Sequence, residues 1–122
     1  MPRANRDQPI YKITPRADWS AAVEAGTFKG APVDLADGFI HFSTAAQVQE
    51  TAARHFRGQS GLILVAIDTA ALGASLKWEP SRGGDLFPHF YGELDISHAR
   101  AVYDLPLGAD GVPVIPEDLP TC

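Results

Sequence analysis

Chemistry in this chain would fall first to its imidazoles and to one carboxylate. Four histidines are present: His41, His55, His89 and His98. His41 stands in Asp37-Gly38-Phe39-Ile40-His41-Phe42-Ser43-Thr44, and His89 in Phe87-Pro88-His89-Phe90-Tyr91-Gly92. Both are flanked by aromatics and by glycine or hydroxyl residues that let a ligand approach the backbone, as a recognition site requires. His55 beside Phe56 and His98 in a polar turn read as structural or solvent-facing. Glu79, between Trp78 and Pro80, is a carboxylate held against an indole. Partial burial there would raise its pKa toward working pH, the condition for general acid–base work. Ser81-Arg82-Gly83-Gly84 offers a guanidinium and open backbone N–H groups for an anion. Trp78, Phe87, Phe90 and Tyr91 supply flat faces for a ring or for the core. Ser43 shares a strand face with His41, but no Gly-x-Ser-x-Gly elbow makes it a nucleophile. No His-x-x-x-His pair or cysteine cluster has metal-ligand spacing, so a metal-assisted hydrolase built on His41, His89 and Glu79 depends on those groups converging in space.

The elements that must position these groups follow from periodicity. Ile10–Ile13 alternates as a half-buried strand, and Thr14-Pro15 opens a helix whose stripe is Trp19, Ala22 and Val23 before Gly26. Residues 28–37, with Gly30, Pro32 and two aspartates, show neither period and read as a surface loop. Asp37-Gly38 turns into a strand that sends Ile40 and Phe42 to the core and Phe39, His41 and Ser43 to the other face. Thr44–Phe56 repeats Ala45, Val48, Ala52 and Phe56 at helical spacing. Leu62–Ile67 is apolar throughout, as in a central strand buried on both faces. Leu76–Glu79 is a strand ended by Pro80, residues 86–92 a strand or extended arm, and Ala101–Leu105 a last strand.

A chain of 122 residues, 45% hydrophobic, suits one domain over 1–122, with a loose arm at 1–8 and an extended tail at 106–122. Ten basic against fifteen acidic residues, a net charge of −5, oppose bulk attraction to nucleic acid or an anionic membrane. The one cysteine, Cys122, excludes an internal disulfide and fits a reducing compartment. With no apolar run of membrane-spanning length and a polar start, a cytoplasmic protein is expected. Oligomeric state is not legible.

Together the His41 motif, Trp78-Glu79-Pro80-Ser81-Arg82-Gly83-Gly84 and the His89 motif resemble the bacterial domain-of-unknown-function 952 family, over about residues 10–116. The family is similar to the ADP-ribosylation fold. The resemblance therefore implies an α+β architecture, a split, mainly antiparallel sheet with two main helices around a cleft. It also implies a small domain that binds NAD or another nucleotide, and chemistry, where present, at a ribose C1′. By this resemblance His41 holds a ribose hydroxyl and Glu79 stabilises developing positive charge. Ser43, Trp78, Arg82, His89 and Tyr91 then line the ligand site. NAD is a candidate substrate, and no tightly bound cofactor is expected. The paired-glutamate signature of active transferases is absent, which leaves a non-catalytic ligand- or partner-binding module as the alternative.

Overall fold

The computed structural model describes residues 9–80, 84–116 and 119. The expected arm at 1–8, the loop residues Ser81, Arg82 and Gly83, and Cys122 lie outside the described residues.

The fold is α+β, with antiparallel sheets and few helices. Strand β1 (Ile10–Pro15) leads into helix α1 (Arg16–Ala25), then β2 (Thr27–Phe28), helix α2 (Pro32–Asp37), β3 (Ile40–His41) and helix α3 (Val48–His55). Strand β4 (Leu62–Ile67) follows, then two short 3-10 turns, β5 (Leu76–Pro80), β6 (Leu86–Phe90), β7 (Leu94–Asp95) and β8 (Ala99–Leu105). One sheet has the order β1-β4-β8, a second β3-β6-β5, and β2 pairs with β7.

The Leu62–Ile67 run is the central strand of the first sheet, and every one of its residues is buried. Side chains of a strand alternate, and here each face feeds a different core. Ile63, Val65 and Ile67 join Trp19, Phe28, Ile40, Phe42, Phe90 and Leu94 between the two larger sheets. Leu62, Leu64 and Ala66 join Tyr11, Ile13, Val48, Ala52 and Leu105 on the other side. Helix α3 covers that side with Val48 and Ala52, and Phe56 packs at its margin. Val112 and Ile115, from beyond β8, are buried in the same cluster.

Three expectations need correction. Residues 28–37 are not simply a loop. Pro32 starts a helix at a position that needs no N–H donor, and Gly38, at φ 88°, ends it by donating to the Asp34 carbonyl at 2.9 Å. Six residues are too few to show a helical period. The helix expected from Thr44 begins only at Val48, because Thr44 uses its Oγ1 to accept from Gln47 N at 3.2 Å and closes a separate turn. Thr14 and Pro15 finish β1 rather than start α1, paired with Ile63 and Leu62.

One pair of backbone hydrogen bonds joins the first sheet to the second. Tyr11 N donates to Ser43 O at 2.7 Å, and Ser43 N to Tyr11 O at 2.9 Å. Beside this seam, next to α3, lies a cleft.

Candidate functional site

The cleft has a volume of about 520 Å³ and is bounded by residues of β1, α3, β6 and the β3 strand end. Aromatic side chains of Tyr11, Phe42, Phe56 and Phe87 line it beside the polar groups of Lys12, Asp37, His41, Ser43, Thr51, His55, Gln59 and His89. That volume lies within the range of pockets that hold small molecules.

His41 and His89 are brought together by register. They are paired residues on β3 and β6, with ring centroids 5.5 Å apart. Phe39 packs on both, at 4.6 Å from His41 and stacked at 4.3 Å on His89. Each imidazole is also fixed by a carboxylate at Nδ1. His41 Nδ1 lies 2.6 Å from Asp34 Oδ1, and His89 Nδ1 lies 2.8 Å from Glu79 Oε1. A carboxylate only accepts, so Nδ1 carries the proton in both rings and Nε2 is left for another partner. For His41 that partner is Asp37 Oδ2, at 3.0 Å.

Asp34 is the buried hub, with its side chain 1% exposed. Its carboxylate accepts from Ala31 N at 2.7 Å, from the His41 backbone N at 3.1 Å and from Lys12 Nζ at 3.0 Å. Burial pushes the carboxyl pKa up, but the His41 hydrogen bond, the Lys12 charge and these donors outweigh it and bring it down to about 2. Lys12 has a single carboxylate partner, 2.8 Å from its Nζ, so burial prevails there and the ammonium pKa falls below its ordinary value. Burial likewise pushes the Tyr11 phenol up to about 12.

Of the residues expected from sequence, His41, Ser43 and His89 line the cleft. Glu79 does not; it sits behind His89 and also accepts from Tyr91 OH at 2.9 Å. Its expected upward shift is reversed. The hydrogen bonds from His89 and then Tyr91 hold the carboxyl below its ordinary value, and Glu79 raises the Tyr91 phenol in turn. Tyr91 reaches the site only through Glu79 and through Phe39, whose ring is 5.1 Å away. Trp78 packs against the core between the sheets. Arg82 lies outside the described residues. His55, read as structural or solvent-facing, lines the cleft.

Sequence reasoning missed Lys12, Asp34 and Asp37. The signal that was available is the lysine itself: in the alternating strand Ile10–Ile13 it falls on the same face as Ile10, and a lysine pointing into a core needs a buried acid. Among the described residues, no three His, Cys, Asp or Glu side chains are grouped to hold a metal ion. No helix there is long and apolar enough to cross a membrane.

The paired, carboxylate-held imidazoles thus sit in a cleft of a small α+β domain built on antiparallel sheets. The family described as a protein of unknown function (DUF952) matches residues 13–102, and the chain belongs to it. The crystal structure of protein CC0527 from Caulobacter crescentus is 56% identical, with a TM-score of 0.85 over 87% of this chain and 93% of that one. The solution structure of CC0527 is likewise 56% identical, with a TM-score of 0.78 over 86% and 90% of the two chains. No curated protein matches the chain.

Proposed function

We propose that this chain is a nucleotide-binding domain of the ADP-ribosylation-like type, acting through the cleft beside the seam that joins its two larger sheets. The observation that carries the reading is the lining of that cleft. Phe56 and Phe87 offer apolar surface for a flat base, while His41, Ser43, Thr51 and Gln59 supply polar groups for ribose hydroxyls and phosphate oxygens; Lys12, Tyr11 and Phe42 lie buried behind them, with Lys12 held by Asp34. These polar groups line the cleft of a chain of net charge −5. Two three-stranded antiparallel sheets diverging from one seam support the fold assignment.

Transfer at a ribose C1′ would need a carboxylate facing the sugar. Glu79 is turned to His89 and Tyr91, and Asp37 is the one acid among the described lining residues. The geometry thus favours nucleotide binding over transfer from NAD by Glu79. A metal-assisted hydrolase using His41, His89 and Glu79 lacks the convergence of ligands it requires.

Thermal shift with NAD, ADP-ribose, mononucleotides and coenzyme A tests the reading. A ligand at one hundred times its dissociation constant should stabilise the fold by about 2.7 kcal/mol. Silence across all nucleotides, with a responsive melting transition, refutes the nucleotide cleft.

A further inference from the structure

From the two carboxylate-held imidazoles facing one cleft, we infer that this domain hydrolyses a nucleoside cyclic phosphodiester, with His89 as general base and His41 as general acid. The inference rests on the nucleotide-cleft reading and adds a substrate class and a reaction to it.

The protonation states required follow from hydrogen-bond geometry. Glu79 Oε1 accepts from His89 Nδ1–H, so a ring with one proton presents an unprotonated Nε2, and among the described residues that nitrogen makes no hydrogen bond. Glu79 lies outside the cleft while His89, with its side chain 7% exposed, lines it, so Nε2 is the ring nitrogen not held by Glu79. His41 contacts a carboxylate through each nitrogen, Asp34 at Nδ1 and Asp37 at Nε2. Both carboxylates are acceptors, so a proton on His41 Nε2 would be directed at Asp37. Asp37 is exposed at the cleft margin, and a ligand oxygen in its place would receive the Nε2 proton.

The ring centroids are 5.5 Å apart, a spacing that lets the entering and leaving oxygens of one phosphorus each lie within about 3 Å of a ring nitrogen. His89 Nε2 removes a proton from water as the water oxygen bonds to phosphorus. The ester P–O bond breaks, and its oxygen takes the proton of His41 Nε2, giving a phosphomonoester with a free hydroxyl. Water is the only co-reactant, and solvent exchange resets both rings. A cyclic diester is favoured because ring strain assists the leaving oxygen, so proton transfer alone suffices. The cleft volume and the acidic exterior favour a mononucleotide over a polymer.

The experiment incubates the pure chain with the four 2′,3′-cyclic and two 3′,5′-cyclic purine and pyrimidine nucleotides. Products are followed by phosphorus NMR and chromatography, and binding of each nucleotide by calorimetry. Conversion of at least one cyclic nucleotide to its monoester is expected, falling about 10²- to 10⁴-fold in His41→Asn and in His89→Asn. Melting curves confirm that each variant folds; where one does not, His41→Gln or His89→Gln replaces it. Binding without turnover overturns this inference and leaves the nucleotide cleft standing, as does turnover that survives both substitutions. Absence of any nucleotide binding overturns both.

Discussion

Asp34 should be the residue whose loss the fold tolerates least. Replacing it by Asn keeps the size but removes the charge and turns an amide N–H toward Lys12 Nζ or toward the other donors around it. Removing one partner of a buried ion pair costs about 3 to 5 kcal/mol, because the other charge stays desolvated and unpaired. At about 4 °C per kcal/mol for a domain of this size, the melting midpoint of Asp34→Asn should fall by roughly 12 to 20 °C. Lys12→Met should cost less, about 1 to 3 kcal/mol, since Asp34 keeps the Ala31 and His41 donors while Lys12 has no second carboxylate. The acid limb offers an independent check. A carboxyl lowered from 3.8 to about 2 binds its proton more weakly in the folded state. Its contribution is therefore complete above about pH 4 and is lost as pH falls toward 2; that drop is worth roughly 2.5 kcal/mol at about 1.36 kcal/mol per pH unit. Urea unfolding at pH 7 and at pH 2.5 measures both effects. An Asp34→Asn variant within 1 kcal/mol of wild type at pH 7, on the same order of error as the fit, would refute the hub.

Other outcomes follow from the same contacts. Gly30→Ala should destabilise the protein by about 1 to 3 kcal/mol, because φ is +116° and the new Cβ would lie 2.6 Å from the Asp34 Cβ; an unchanged melting midpoint would count against this. Leu64→Ala, at a fully buried position of β4, should cost about 2 to 5 kcal/mol by denaturant titration. Glu79→Gln should leave the fold intact but alter the His89 ring, so nitrogen-detected NMR of the imidazole should show a changed tautomer balance. An unchanged His89 spectrum would mean that the Glu79 contact does not persist in solution.

Much of this architecture was legible because local patterns coincided with what packing rewards. Leu62–Ile67 is apolar on both faces, and both faces are covered. His41 and His89 could be picked out by their neighbours, although sequence could not show that they are paired across β3 and β6. What stayed hidden was relational. Lys12 and Asp34 lie 22 residues apart and their bond is set by the tertiary fold. Asp34 also sits in a helix too short to announce itself by period. Glu79 was misjudged for a similar reason: an adjacent indole suggested a dry pocket, whereas His89, diagonal to it on β6, and Tyr91, just past the end of β6, hold its carboxylate by hydrogen bonds that only the fold reveals.

The seam between Tyr11 and Ser43 has a mechanical consequence. Two backbone hydrogen bonds there, with Phe42 N donating to Pro88 O at 3.0 Å alongside, act like the spine of a book whose covers are the two sheets. Apolar side chains fill the rest of the space between the covers, so any motion of one sheet against the other should pivot about this line. Amide exchange makes that axis observable. The Tyr11 and Ser43 protons should exchange only when the whole molecule unfolds, and a bound guest should slow them no more than it stabilises the fold.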